Sequence, residues 1–114
     1  MKAIIQTDLS NPRALEWADA PEPTLEDGQV LVKVKAAGVN RADLLQAAGH
    51  YPPPKGVTDT LGLECAGVIE EVKGDSQGWK VGDEVCCLLS GGAYAEKVAV
   101  PAGQILPLPH GYSF

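Results

Sequence analysis

The chain has 114 residues, 45% of them hydrophobic, and its 15 acidic residues outweigh 9 lysines and arginines to give a formal net charge of −6. This length predicts one domain with a modest core, and the ordinary composition excludes a disordered tail, a collagen-like chain or a coiled coil. The acidic charge, with no cluster of lysine or arginine, makes nucleic acid and anionic membranes poor partners.

Strand signals separated by glycine and proline turns dominate the chain. In order, strands are predicted at Lys2–Thr7, Ala14–Ala18, Gln29–Ala37, Leu63–Lys73, Val85–Leu89, Ala93–Val100 and Gln104–Pro107. The clearest is QVLVKVKAA at 29–37, where three valines and Ala36 face one way and two lysines face the other. Six or seven short strands with such turns are typical of a closed or partly closed β-barrel.

One segment has a helical pattern instead. Asn40 is a good N-cap residue, Asp43 stands at the third helical position, and Gly49 follows a run of helix formers. A helix this short must be held by packing, because isolated short helices are marginal in water. Tyr51 and the prolines at 52–54 then predict a stiff, extended segment.

The three cysteines are Cys65, Cys86 and Cys87. Their odd number and spacing match neither a disulfide framework nor a structural zinc site, so we expect buried thiols in a reducing compartment. A redox or nucleophilic role for Cys65, beside Glu64, is the alternative. No apolar run is long enough to cross a bilayer, and the polar Gln6 comes too early for a signal peptide, so we expect a cytoplasmic protein.

Five short motifs occur in a characteristic order: AGVNRADL at 37–44, GHYPPP at 49–54, LGLECAGV at 61–68, VGDEV at 81–85 and GGAYAE at 91–96. Together they resemble the N-terminal GroES-like domain of medium-chain dehydrogenase/reductases, in the zeta-crystallin-like quinone oxidoreductase group. The resemblance covers residues 1–110. It implies a mainly β fold: a GroES-like, partly open β-barrel with one short helix.

Two positions distinguish the chain from the zinc-dependent members of that superfamily. Those members have a cysteine where this chain has Asn40 and a histidine where it has Leu63. Neither residue supplies the thiolate or imidazole that zinc prefers. The lobe with four cysteines that binds structural zinc is also missing. The resemblance therefore implies a zinc-independent protein, with no metal site.

The zinc-free relatives transfer hydride from NADPH to a quinone or another conjugated carbonyl. By position, the resemblance implies that Asn40 and Tyr51 line the substrate and cofactor cleft, and that Asp43 orients Asn40. Glu64 either pairs with a cation near this cleft or is a structural residue at the start of a strand. Asn40 and Asp43 could equally be a helix cap alone, and Tyr51 could be a packing lid.

The nucleotide-binding half of such an enzyme has no counterpart in the sequence. No glycine-rich turn leads into a helix that could hold a pyrophosphate, and residues 111–114 resemble the start of the linker to that domain. We therefore expect a truncated chain that binds NADPH weakly and is inactive alone. The alternative is a standalone interaction or dimerisation module that associates through exposed apolar surface. A co-chaperonin, which shares the fold, is less consistent because the helix at Asn40 replaces its long polar loop.

Overall fold

The computed structural model describes residues 1–114, and most of its regular structure is β-strand. In order, the elements are β1 Lys2–Gln6, β2 Leu15–Asp19, β3 Gln29–Ala37, α1 Arg41–Ala47, β4 Glu64–Lys73, β5 Glu84–Leu88, β6 Lys97–Pro101, a 3₁₀ turn Ala102–Gln104 and β7 Ile105–Pro107. No helix has the length and apolar character needed to cross a membrane. The predicted mainly β fold with one short helix is confirmed.

The strands form two antiparallel sheets. One contains β1 and β2, and the other has five strands in the order β6-β3-β4-β5-β7. The sheets meet where the Ile4 N–H donates to the Tyr94 carbonyl at 2.7 Å and the Glu96 N–H donates to the Lys2 carbonyl at 3.0 Å. Neither sheet closes on itself, so the barrel is partly open, as predicted.

A cluster of buried apolar side chains forms the core. Its most completely buried members are β-branched residues, which pack well on a pleated surface: Ile69, Val30, Val32, Val85 and Val100. The alternation predicted for β3 is confirmed at its valines but is wrong at Ala36, which is exposed. The cause is an irregularity in the pairing of β3 with β4 between Val34 and Ala36, where β3 has one extra residue. After this bulge, the side chains of β3 point to the opposite face from the one that the alternation predicts.

The predicted strand at 93–100 forms regularly only from Lys97 onward. Before Lys97 the backbone forms hydrogen bonds with residues 61–62 instead of a regular strand pairing. The N–H of Ala93 donates to the Gly62 carbonyl at 3.1 Å, and that of Tyr94 donates to the Leu61 carbonyl at 3.0 Å. The strand predicted to begin at Gln104 starts at Ile105, because Gln104 ends the 3₁₀ turn.

Helix α1 has seven residues and depends on contacts with the rest of the chain. At its C-terminal end, the Gln6 Nε2 of β1 donates to the Ala47 carbonyl at 2.8 Å. At its N-terminal end, Asn40 is the N-cap residue, as the sequence predicts. The helix is therefore capped at its start by Asn40 and attached to β1 at its end.

Candidate functional site

The first predicted pair, Asn40 and Asp43, lies at the start of α1. Asn40 has extended backbone, and its N–H donates to the Asp43 Oδ2 at 2.8 Å. The Asp43 N–H in turn donates to the Asn40 carbonyl at 3.0 Å. These two bonds fix the backbone of Asn40 relative to the first turn of the helix. Asn40 itself is half-buried.

Asp43 is the one charged residue that the fold buries, with 3% of its surface exposed. Its Oδ2 also accepts a hydrogen bond from the Tyr94 hydroxyl at 2.7 Å, whereas its buried Oδ1 has no partner. Burial, and then the hydrogen bond to Asp43, raise the pKa of the Tyr94 hydroxyl. Two donors on one oxygen offset part of the cost of burying this carboxylate.

Tyr94 was not among the residues predicted for the site. Its ring reaches Asp43 because Gly62, at φ 105°, leaves the space that a side chain would fill. A Cβ on Gly62 would lie 2.7 Å from the Tyr94 Cδ1. In the sequence, the only indication of a role for Tyr94 was its phenol group within the GGAYAE motif. Its contact with Asp43 becomes visible only in the fold. We call Asn40, Asp43 and Tyr94 the Asp43 network.

Glu64 lies at the start of β4, where its exposed side chain packs against Gly38. A Cβ on Gly38 would collide with the Glu64 carboxylate, and the Gly38 N–H donates to the Glu64 carbonyl at 3.2 Å. None of the ion pairs in the chain includes Glu64. Within this chain, Glu64 therefore borders the segment that leads to Asn40.

Tyr51 is separate from the Asp43 network. Its side chain is 47% exposed, and its hydroxyl makes no hydrogen bond within the chain. The loop that carries it is anchored just before it, where the His50 N–H donates to the Leu45 carbonyl at 2.8 Å. The structure thus brings Asn40 and Asp43 into contact, sets Glu64 beside Gly38, and leaves the Tyr51 hydroxyl free to donate.

Among the cavities on the barrel surface, two bear on the candidate site, and Glu64 lines one of them. A groove of about 590 Å³ is lined by Glu64 and otherwise by small or apolar residues, which include Ala36, Ala37, Gly38, Cys65, Leu88 and Leu106. The other cavity, of about 530 Å³, lies between β6 and the loops at 20–26 and 56–60 and includes none of the four predicted site residues. Of the four predicted site residues, Glu64 lines the groove, whereas Asn40, Asp43 and Tyr51 line neither of these cavities.

The residues present do not fit the pyrophosphate of a dinucleotide. The start of α1, the chain's one α-helix, already holds the Asp43 carboxylate, which repels a phosphate, and the glycines at 91–92 are not followed by a helix. As for metals, no three histidine, cysteine, aspartate or glutamate side chains converge as a set of ligands.

Comparisons with known proteins agree with the motifs. The family model of the alcohol dehydrogenase GroES-like domain matches residues 26–110. Mouse quinone oxidoreductase is 34% identical over 116 residues, covering 100% of this chain and 35% of the relative. The mouse synaptic vesicle membrane protein VAT-1 homolog-like is 28% identical and is covered over 27% of its length.

A solved structure gives the same result for the fold. The crystal structure of Escherichia coli quinone oxidoreductase complexed with NADPH superposes with a TM-score of 0.87 at 28% identity, covering 100% of this chain and 35% of that one. The chain thus spans about a quarter to a third of the length of these relatives. The resemblance to the N-terminal domain of medium-chain dehydrogenase/reductases is confirmed, and the chain belongs to the alcohol dehydrogenase GroES-like domain family.

Proposed function

We propose that this chain is the substrate-side domain of a zinc-independent, NADPH-dependent quinone oxidoreductase-like protein. Joined to a nucleotide-binding domain, it would present a quinone or another conjugated carbonyl for hydride transfer. Support comes from the family, from relatives that are quinone oxidoreductases, and from the E. coli relative's complex with NADPH. The proposal keeps the cytoplasmic location expected from the sequence.

The observation that carries the proposal is the position of Asn40. The Asp43 carboxylate holds its backbone N–H at 2.8 Å, and its side chain accepts from the Asp43 backbone in the capping box, while its side-chain NH2 group donates no hydrogen bond within the chain. Its amide is therefore available to donate to a carbonyl oxygen in a fixed place, which is the protein's main task when a cofactor supplies the chemistry. The free Tyr51 hydroxyl would be a second donor, and the apolar groove beside Gly38 would take the ring.

The residue types also support zinc independence. Asn40 and Leu63 occupy the positions at which zinc-dependent members of the superfamily have ligands, and neither binds zinc well. Hydrogen bonding by Asn40, with Tyr51, would take the place of a Lewis acid in orienting the substrate oxygen. Because the pyrophosphate does not fit these residues, the cofactor would be held by the nucleotide-binding domain.

An alternative function is an interaction or dimerisation module without catalysis. The outer face of β2 favours it, since Trp17 is 56% exposed and Leu15 is 38% exposed on the same strand. Sedimentation equilibrium distinguishes the two proposals. The substrate-side domain is expected to sediment as a monomer, whereas a stable dimer that Trp17→Ala dissociates would favour the interaction module.

A turnover assay tests whether this chain needs a separate nucleotide-binding domain for catalysis. The 114-residue chain is mixed with NADPH and tetramethyl-1,4-benzoquinone, and the absorbance of NADPH is followed. We expect the uncatalysed rate for the wild-type chain and for Asn40→Ala alike. NADPH oxidation well above that rate, lost in Asn40→Ala, would show that these residues form a complete enzyme and would contradict the proposal.

A further inference from the structure

Two of the three cysteines face each other across neighbouring strands. In the antiparallel pairing of β4 with β5, Cys65 is the direct partner of Cys87, whereas Cys86 is opposite Ala66. Cys65 is 5% exposed and Cys87 is 4% exposed, and both belong to the core cluster. Neither the Asp43 network nor the proposed function uses this thiol pair.

The pairing fixes the distance between the two strands at this point. The Leu89 N–H donates to the Leu63 carbonyl at 2.7 Å and the Ile69 N–H to the Asp83 carbonyl at 3.0 Å, both in the same register as the cysteines. In an antiparallel ladder, residue pairs that exchange backbone hydrogen bonds recur at every second residue. Cys65 and Cys87 therefore form a hydrogen-bonded pair, whose Cα atoms lie about 5.5 Å apart. Disulfides span Cα separations of roughly 4.4–6.8 Å.

The same geometry makes such a bridge reversible. In a hydrogen-bonded pair the Cβ atoms lie at the wide end of the range of about 4.5–5.5 Å found for opposed residues, whereas a relaxed disulfide holds them at about 3.5–4.5 Å. The strands must therefore move closer by roughly 1 Å when the bond forms. A disulfide made at this cost is more easily reduced than a structural one.

The two thiols affect each other's acidity because they face each other in the core. The interaction with Cys87 lowers the pKa of the Cys65 thiol despite burial, and the interaction with Cys65, followed by burial, raises the pKa of the Cys87 thiol. Either sulfur can act as the nucleophile, with the other resolving its oxidised form.

We propose that Cys65 and Cys87 form a reversible redox site, oxidised to an intramolecular disulfide by a hydroperoxide and reduced again by a dithiol. One thiol of the pair loses its proton and attacks the peroxide, the O–O bond breaks, and a sulfenic acid forms while the proton leaves with the departing hydroxide as one water. The second sulfur then attacks the oxidised sulfur, its proton leaves with the departing hydroxide as a second water, and the S–S bond forms. In total, two thiols lose two electrons and two protons, and hydrogen peroxide is reduced to two waters.

The thiol pair faces the core, whereas the side chains that alternate with it, Ala66 and Cys86, face the groove of about 590 Å³ on the other side of the sheet. Hydrogen peroxide is small and uncharged, which suits a buried pair better than a bulky disulfide reagent does. The site adjoins Glu64, the neighbour of Cys65 in the chain, so the bridge forms at the edge of the candidate functional site.

The test counts free thiols in the folded chain before and after oxidation. The protein is treated with hydrogen peroxide, the peroxide is removed, and the remaining thiols are labelled with N-ethylmaleimide in denaturant for intact mass spectrometry. The untreated chain should carry three labels, one for each free cysteine. After oxidation we expect a single label and the loss of two hydrogens, with all labels restored by dithiothreitol.

Cys86→Ala is the matched control, because it removes the adjacent cysteine and keeps the pair. It should still form the bridge and carry no label after oxidation, whereas Cys87→Ala should form no bridge, because Cys65 then has no partner across the strands. Should Cys87→Ala fail to fold, the wild type and Cys86→Ala still decide the question. Labels that stay complete in the wild type, oxygen added to a cysteine of the wild type without a bridge, or no bridge in Cys86→Ala would each overturn the proposal.

Discussion

The barrel core and the Asp43 network are both buried, but they are built in opposite ways. The core contains eleven side chains from several strands, and its atoms are apolar except for the thiols of two cysteines. The network contains a single buried carboxylate with two donors and one unpartnered oxygen. Apolar packing stabilises in proportion to the area it removes from water, whereas a buried carboxylate is costly unless its donors are in place. The comparison indicates that the core stabilises the barrel and that the network positions Asn40.

The largest effect should come from the core. Ile69→Ala removes a side chain that is 1% exposed and leaves a cavity in the sheet. We expect it to lower the free energy of unfolding by about 2–5 kcal/mol, measured by urea denaturation. Leu88→Ala on β5 is the control, because Leu88 is 64% exposed and its truncation should change the free energy of unfolding very little. Equal effects at both positions would contradict the assignment of the core.

A smaller effect is expected from Tyr94→Phe, which removes one donor from Asp43. A hydrogen bond to a charged group contributes about 1.5–3 kcal/mol, and the free energy of unfolding should fall by that amount in urea denaturation. Tyr112→Phe makes the same chemical change on a residue that is 73% exposed and should leave stability unchanged. If Tyr94→Phe is as stable as the wild type, the network does not contribute to holding the helix.

The difference in free energy of unfolding between the wild type and Tyr94→Phe should also depend on pH. This change with pH should be smaller than the difference itself, and its sign follows from the pKa of Tyr94. The pKa of Tyr94 is raised in the folded chain, while an unfolded tyrosine titrates near pH 10. Above that pH the unfolded chain loses a proton that the folded chain keeps, so the free energy of unfolding decreases as the pH rises. Below it, both states are protonated and the contribution is fully present.

Urea denaturation between about pH 8 and pH 12 measures this dependence. The wild type should lose stability above about pH 10 more steeply than Tyr94→Phe, and the two chains should approach each other. Parallel curves across the range would mean that Tyr94 titrates alike in the folded and unfolded states.

Most of the fold could be predicted from the sequence, because strand patterns are local. The β3 alternation and the Asn40 helix start were both visible, and the motifs identified the family. The exposure of Ala36 could not be predicted, because it follows from an irregular pairing with β4 rather than from β3 itself. The late start of β6 likewise depends on hydrogen bonds to residues 61–62.

The candidate site was less predictable than the fold. The contact between Asn40 and Asp43 is local, so a capping pattern could indicate it. The hydrogen bond from Tyr94 to Asp43 joins residues far apart in the sequence, and it depends on Gly62 leaving room for the ring. The pairing of Cys65 with Cys87 is also a matter of strand register, which no residue type indicates. The role of Tyr51 stays a prediction.

The central claim is that the Asn40 side of the barrel binds a carbonyl substrate, and a titration followed by NMR tests it most directly. The ¹⁵N-labelled chain is titrated with tetramethyl-1,4-benzoquinone, whose fully substituted ring cannot add to the cysteines. The account predicts shifts concentrated at residues 38–52 and at Glu64, weakened in Asn40→Ala and retained in Asn11→Ala, a matched change in an exposed loop. Shifts confined to the cavity between β6 and the loop at 56–60, or no shifts at saturating quinone, would contradict it.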